Sequence, residues 1–233
     1  SAAWGTLRTG PERVGSYIVE KELGRGCYGV VYLVRREGLE RRFALKVLTA
    51  EALRSPETVA RFQREAKLAS RIQDPGVVAI HDLGQEGRFP YYVMDVVRGP
   101  TLQDMIRKGP LPALRAAELV CSIAKTMDAA HRAQVIHRDL KPANVILDEA
   151  TDRPRVTDFG LAQEQGGMRL TRTGEAVGTP FYMAPEQNLG QRDLDARVDV
   201  YALGVILYEC LTGQVPFQGA NFVEISHAIR RGQ

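Results

Sequence analysis

His137, Arg138, Asp139, Leu140, Lys141, Pro142, Ala143 and Asn144 form one unbroken run, which places a carboxylate, an ammonium and a metal-seeking amide in a single turn-rich loop. A phosphoryl group in transfer carries several negative charges. Moving it calls for a carboxylate to orient the incoming hydroxyl, a cation to steady the phosphate and oxygen ligands to hold Mg²⁺. Asp139, Lys141 and Asn144 have these chemistries. A polar loop that holds them without using them is the competing reading, and the length of the run weighs against it.

A second group lies downstream. Asp158-Phe159-Gly160 follows Asn144 after a hairpin-like stretch containing Val145-Ile146-Leu147 and Val156. Mg²⁺ takes oxygen ligands in octahedral geometry and completes its shell with water and substrate phosphates, so Asn144 and Asp158 are the candidate metal ligands. Zinc or a redox metal would call for His and Cys clusters, which this spacing does not offer.

Upstream, Gly24, Gly26 and Gly29 form G-x-G-x-x-G, a spacing that dinucleotide-binding folds use at the opening of a helix. Here the glycines are followed by Val30-Val31-Tyr32-Leu33-Val34, a β-branched and aromatic run that favours a strand. They are therefore expected to join two strands and to form a flap whose N–H groups reach phosphate oxygens with no Cβ in the way. Lys46 comes seventeen positions after Gly29, within Phe43-Ala44-Leu45-Lys46. Strand alternation puts Ala44 and Lys46 on one face, where a cation could hold phosphates while a planar base lies over the Ala44 methyl. Glu65 is the natural counter-ion for Lys46, with a surface i to i+4 partner as its alternative.

The elements that must position these residues can be read from period and punctuation. Residues 1 to 16 are rich in Gly, Pro, Ser and Thr and show no hydrophobic period, which predicts a tail. Strands are expected at Tyr17-Ile18-Val19, Val30 to Val34 and Phe43 to Leu48, then at Val77 to Leu83 and Tyr91 to Val97. Ser55, Pro56, Glu57 and Thr58 read as a capped helix start, and Val59, Phe62, Ala66 and Ala69 form its apolar stripe. Near residue 98 the pattern turns helical, with Ala117, Val120, Cys121 and Ala124. Val200 to Leu211 is apolar almost all round, which predicts a helix buried on every side whose Asp199 needs a polar partner.

Composition sets outer bounds. A chain of 233 residues with 25% charged and 44% hydrophobic residues is globular and large enough for a substantial core. The net charge of +3 is mild, and its densest cluster, Arg35, Arg36, Arg41 and Arg42, flanks a turn at Gly38, so no nucleic-acid partner is expected. Cys27, Cys121 and Cys210 are widely spaced and lack metal-ligand patterns, which suggests a reducing compartment. No uninterrupted apolar stretch spans a bilayer and no signal core opens the chain, so this segment is expected to make no membrane contact.

Taken in order, Gly24 to Val31, Lys46, Glu65, His137 to Asn144, Asp158 to Gly160 and Ala184-Pro185-Glu186 resemble the eukaryotic-type protein kinases across residues 17 to 233. Lys141 and the segment Gly178 to Glu186 are similar to the serine/threonine branch. Tyr92-Val93-Met94-Asp95 and Pro185-Glu186-Gln187 resemble the bacterial members of that branch. The resemblance implies an α+β, bilobal fold: a small antiparallel N-lobe sheet with one regulatory helix over residues 17 to 97, and a mainly helical C-lobe over 98 to 233. It also implies ATP and Mg²⁺ as cofactors and serine or threonine hydroxyls of proteins as acceptors. Leu23, Gly24, Arg25, Gly26, Cys27, Tyr28, Gly29, Val30 and Val31 would cover ATP, and Val31, Ala44 and Ile146 would sandwich the adenine. Met94 would be the gatekeeper, with the Asp95 and Val97 backbones bonding adenine. Lys46, paired with Glu65, would touch the α and β phosphates, and Lys141 the γ phosphate. Asp139 would orient the acceptor hydroxyl, Asn144 and Asp158 would hold Mg²⁺, Thr179 would shape the acceptor site, and Asp199 would brace the backbone at His137 and Arg138.

Thr171 and Thr173 stand beside Arg169 and Arg172 between Asp158 and Glu186, which predicts autophosphorylation, with possible self-association, at one or both threonines; a new phosphate could pair with Arg138, and two ordinary loop threonines are the alternative. Cys27 at the flap tip is a candidate for oxidation, and Phe43 stands where the family often has Val. The family continues through further helices that carry an Arg partner for Glu186, so the lower lobe is expected to be incomplete at Gln233. A pseudokinase scaffold and a small-molecule phosphotransferase are the alternatives. The intact Lys46, Asp139, Asn144 and Asp158 weigh against the first, and Lys141 with Gly178 to Glu186 against the second. A cytoplasmic location is expected, within a parent that could itself be membrane-anchored.

Overall fold

A computed structural model of the chain describes residues 11–26, 29–159, 180–191 and 193–232, the side chain of Glu65 aside. Cys27 and Tyr28 of the flap, Gly160, and Arg169, Thr171, Arg172, Thr173, Gly178 and Thr179 lie outside the described residues. The chain divides into two compact units. One comprises the residues up to Gln73 with Val78–Val97, the other Asp74–Val77 with the residues from Arg98 onward.

The first unit is built on strands β1 (Arg13–Val14), β2 (Tyr17–Arg25), β3 (Gly29–Arg36), β4 (Arg42–Leu48), β5 (Ile80–Glu86) and β6 (Phe89–Asp95), with helix α1 (Pro56–Ala69) between β4 and β5. Short connections dictate antiparallel neighbours. The sheet runs β1-β2-β3-β4-β6-β5, and every pair in it is antiparallel. Alternation then sorts its side chains. Val30, Tyr32, Val34, Phe43, Leu45, Val47, Tyr91 and Val93 form one hydrophobic core. The other face carries Val31 opposite Lys46, and Ala44 opposite Met94 with Lys46 opposite Tyr92, because directly paired residues share a face.

Helix α1 starts as its sequence predicts. The Ser55 hydroxyl accepts the Thr58 N–H at 3.2 Å, and Pro56 occupies the first turn, where no N–H is needed. Phe62, Ala66 and Ala69 are buried, and the Phe62 ring meets Tyr92 at 5.0 Å. The helix therefore packs on the Lys46 face. Glu65 lies within α1, its side chain outside the described parts.

Strand ends differ from expectation by a few residues, as where the strand expected at Tyr91 to Val97 runs from Phe89 to Asp95, and two of the differences have a local cause. The sheet begins inside the expected tail, because Val14 pairs with Tyr17 and is fully buried; a two-residue strand is too short to show alternation. Strand β5 begins at Ile80 and not at Val77. The Asp74 carboxylate accepts the Gly76 N–H at 2.8 Å and the Asp74 carbonyl accepts the Val77 N–H at 3.0 Å. That turn sends Val77 to a bridge with Val156 in the second unit.

The second unit contains α2 (Leu102–Ile106), α3 (Ala113–Arg132), β7 (Val145–Asp148), β8 (Arg153–Val156), α4 (Pro185–Asn188), α5 (Arg197–Thr212) and α6 (Phe222–Arg231), with short 3-10 turns at Pro142–Asn144 and Pro180–Tyr182. Strands β7 and β8 form a separate two-stranded sheet. The segment before α2 runs along β7, with Leu147 N–H donating to Pro100 and Glu149 N–H to Arg98. At Gly99, with φ of 145°, a Cβ would come within 1.8 Å of the Leu147 carbonyl oxygen, so only glycine permits this approach.

Helices α3 and α5 pack against each other. The expectation that α5 is buried on every side is corrected. Val198, Ala202, Val205, Ile206 and Cys210 form its buried stripe, whereas Val200 is 60% exposed and Tyr208 and Leu211 are also exposed. Apolar composition reports which surfaces favour cover, and among the described residues only one face of α5 receives it. No described helix is long and apolar enough to cross a membrane.

Candidate active site

The chain between α3 and β7 has no ladder to satisfy its backbone, so side chains must do so. Asp199, in the first turn of α5, is 1% exposed. Its Oδ1 accepts the Arg138 N–H at 2.9 Å, and its Oδ2 accepts the His137 N–H at 2.9 Å. The same Oδ2 lies 2.7 Å from Nε2 of His131, in the last turn of α3. Arg138 has φ of +64°, a left-handed conformation that costs a non-glycine residue about 1–3 kcal/mol and persists only when its surroundings enforce it. Two charge-assisted bonds at consecutive N–H groups provide that enforcement.

His137 is fully buried. Its Nδ1 accepts the Asp139 N–H at 3.3 Å, so the proton sits on Nε2, which donates to the Thr157 carbonyl at 3.0 Å. The Phe159 ring covers the imidazole at 4.7 Å. One imidazole thus connects the residue before Asp158 to the backbone of Asp139. Asp158 is itself left-handed, with φ of +60°.

Around Asp139 the bonds converge. Lys141 Nζ donates to Asp139 Oδ2 at 2.7 Å, in a pair that is about one-third exposed on each side (32% and 27%). Asn144 Nδ2 donates to the Asp139 carbonyl at 2.9 Å. With its NH₂ engaged, the Asn144 amide presents its oxygen as the remaining polar atom. The Thr157 N–H donates to the Asn144 carbonyl at 3.0 Å, and Val145 pairs with Val156. Asn144 and Asp158 are therefore carried on adjoining backbone. An amide oxygen and a carboxylate fit a hard cation that keeps several waters, and no cluster of three or more His, Cys, Asp or Glu able to hold a metal exists among the described residues.

In the first unit, Gly24 pairs with Val31 and Arg25 with Val30, and the Gly26 N–H donates to the Gly29 carbonyl at 2.9 Å. The glycines thus join two strands, as the sequence predicts. Lys46 is 9% exposed and Ala44 and Met94 are buried. The Asp95 N–H donates to Ala79, and its carboxylate accepts from Arg41 at 2.9 Å. Leu23, by contrast, is exposed. Ile146 lies on β7 in the second unit and bridges Thr101.

Sequence reasoning missed two residues. His131 is the third partner of Asp199, and an ordinary helix-ending histidine carries no signal of that. Gln187 is buried and donates from Nε2 to the Arg138 carbonyl at 2.9 Å. Its position two residues after a helix-opening proline is the capping signature that marks it.

A glycine-bearing hairpin, then the Asp139 loop, then the Asp158 turn is the order of a phosphotransferase. Residues 17–232 match the family described as protein kinase domain. The serine/threonine-protein kinase PknB of Mycobacterium leprae is 39% identical over 95% of this chain and 36% of its own length. The serine/threonine-protein kinase PkaA of Streptomyces coelicolor is 42% identical over 92% of this chain and 42% of its own length. The crystal structure of a double mutant of the Mycobacterium tuberculosis PknI kinase domain superposes with a TM-score of 0.74 at 31% identity, over 92% of this chain and 81% of that one. The chain belongs to the protein kinase domain family, as an ATP-dependent kinase domain of the bacterial serine/threonine group. It spans between about a third and two-fifths of the length of these curated relatives.

Proposed function

We propose that this domain transfers the γ phosphate of Mg-ATP to serine or threonine hydroxyls of protein substrates, with Asp139 orienting the hydroxyl. The observation that supports this most directly is the anchoring of Asp139: Lys141 on one carboxylate oxygen, Asn144 on its carbonyl, and the preceding turn clamped by Asp199. Oδ1 of Asp139 has no protein partner among the described residues, and it would accept the hydroxyl proton. Lys141, held beside it, would carry its charge to the γ phosphate. Because the transition state is loose, positioning and charge neutralisation supply most of the acceleration.

Val31, Ala44 and Met94 share a sheet face with Lys46. In this reading Ala44 and Val31 line the adenine. Lys46, kept in place by Glu65, takes the α and β phosphates beneath the flap of residues 23 to 31, and the Asp95 and Val97 backbones bond adenine. Asn144 and Asp158 would hold Mg²⁺, which when bound neutralises charge on the phosphate oxygens. Thr171, Thr173 or both would be phosphorylated by a second copy of the chain, and the phosphate would pair with Arg138. The unpaired thiols, exposed Cys121 and buried Cys210, agree with a cytoplasmic setting.

The test is incubation with Mg-ATP and peptides that differ only in a Ser, Thr or Tyr acceptor, with Asp139→Asn as control. Transfer to Ser and Thr but not Tyr, abolished in the control, supports the reading. Equal transfer to Tyr, or transfer only to small molecules, contradicts it.

A further inference from the structure

The peptide group between Arg138 and Asp139 determines where the Asp139 side chain starts, and both of its polar atoms are held by side chains. Its N–H donates to His137 Nδ1 at 3.3 Å. Its carbonyl accepts from Gln187 Nε2 at 2.9 Å. Asp199 holds the two N–H groups before it but does not touch this carbonyl. Gln187 and His137 together thus hold both polar atoms of the peptide that follows a left-handed residue.

Gln187 is well built for this position. Its Oε1 accepts the Ala184 N–H at 2.9 Å, which settles the orientation of the amide and points the NH₂ at Arg138. The side chain is 7% exposed, so both bonds form away from water, where an unmade bond is costly. Ala184 is fully buried and lies at the head of α4, directly after the Pro180–Tyr182 turn. A single planar amide therefore ties the stretch that enters α4 to the peptide carrying Asp139. Glutamine meets the requirement of a donor at one edge, an acceptor at the other and no charge.

We propose that Gln187 is a positioning residue for transfer: it sets the orientation of Asp139 and makes that orientation depend on the segment leading into α4. This rests on Asp139 being the group that orients the acceptor hydroxyl. Displacement of a catalytic group by fractions of an ångström lowers turnover and leaves nucleotide binding intact. The effect should therefore fall on kcat and not on the KM for ATP.

The test uses the full chain with Gln187→Glu and Gln187→Met, measuring kcat, KM for Mg-ATP and thermal midpoint between pH 5.5 and 8.5. Gln187→Glu keeps the acceptor for Ala184. When ionised it sets an oxygen against the Arg138 carbonyl, and when protonated it donates to it. Relative to the unsubstituted chain, its kcat is expected to be about ten-fold lower at the alkaline end and to recover toward the acidic end, with KM for Mg-ATP within about two-fold throughout. Gln187→Met is expected to lose about ten-fold in kcat at every pH. Two results overturn the proposal while Asp139→Asn is inactive: kcat within about two-fold in both variants, or a pH-independent loss in Gln187→Glu that tracks a lowered midpoint and a raised KM. Near-normal transfer by Asp139→Asn would instead overturn the assignment of Asp139, which separates the two failures.

Discussion

Asp199 holds Arg138 in its left-handed conformation through a 2.9 Å bond from the Arg138 N–H to a carboxylate oxygen that is almost wholly buried. The chain can thereby reverse direction immediately before Asp139 without a glycine. The strain at Arg138 is offset by a charge that has three donors on it, from His131, His137 and Arg138.

Replacing that carboxylate tests the clamp. Asp199→Ala leaves the buried His137 N–H without its acceptor, at about 1–3 kcal/mol, and removes the acceptor of the part-buried Arg138 N–H and His131 Nε2, so a loss of about 2 kcal/mol or more is expected. Urea unfolding measures it. An unchanged midpoint would show that Asp199 does not support the loop.

The glycines of the flap are predicted to behave differently. A Cβ at Gly29 would lie 2.9 Å from the Val47 carbonyl oxygen on the neighbouring strand, whereas at Gly24 it would meet nothing within 4 Å. Gly29→Ala should cost about 1–3 kcal/mol by overpacking against backbone. Gly24→Ala should leave stability within about 0.5 kcal/mol. Thermal denaturation of the two variants checks this, and equal midpoints would contradict it.

Cysteine labelling reports on the packing of α5. Cys210 is fully buried, and burial, with Glu209 adding to it, pushes its thiol from 9.0 up to about 11. Only about 0.1% would be thiolate at pH 8. Maleimide should label exposed Cys121 in the folded protein and spare Cys210 until denaturant is added. Labelling of Cys210 at the rate of Cys121 would contradict the packing.

Much of the framework was legible because its chemistry restricts residue type. The strand after Gly29, the cap at Ser55 and the need of Asp199 for a polar partner follow from β-branching, hydroxyl geometry and the cost of a lone buried charge, whereas the choice of the His137 and Arg138 backbone as that partner is what the family resemblance implies. Other features have no such signature. Val14 joins the sheet through a two-residue strand, Val77 is diverted by the Asp74 turn, and the exposed face of α5 is as apolar as its buried one. His131 and Gln187 bond a side-chain oxygen and a backbone carbonyl that lie far away in sequence; the capping position of Gln187 announces its bond to Ala184, but no periodicity announces these distant contacts.

The central claim is that Asp139 acts in transfer and not in holding the nucleotide. The direct measurement is single-turnover transfer from Mg-ATP to a serine peptide by Asp139→Asn, with ATP affinity determined by calorimetry on the same sample. Transfer is expected to fall at least about a hundred-fold with ATP affinity within about two-fold, as for a general base lost from an intact site. Near-normal transfer, or a loss explained by weaker ATP binding, would contradict the account.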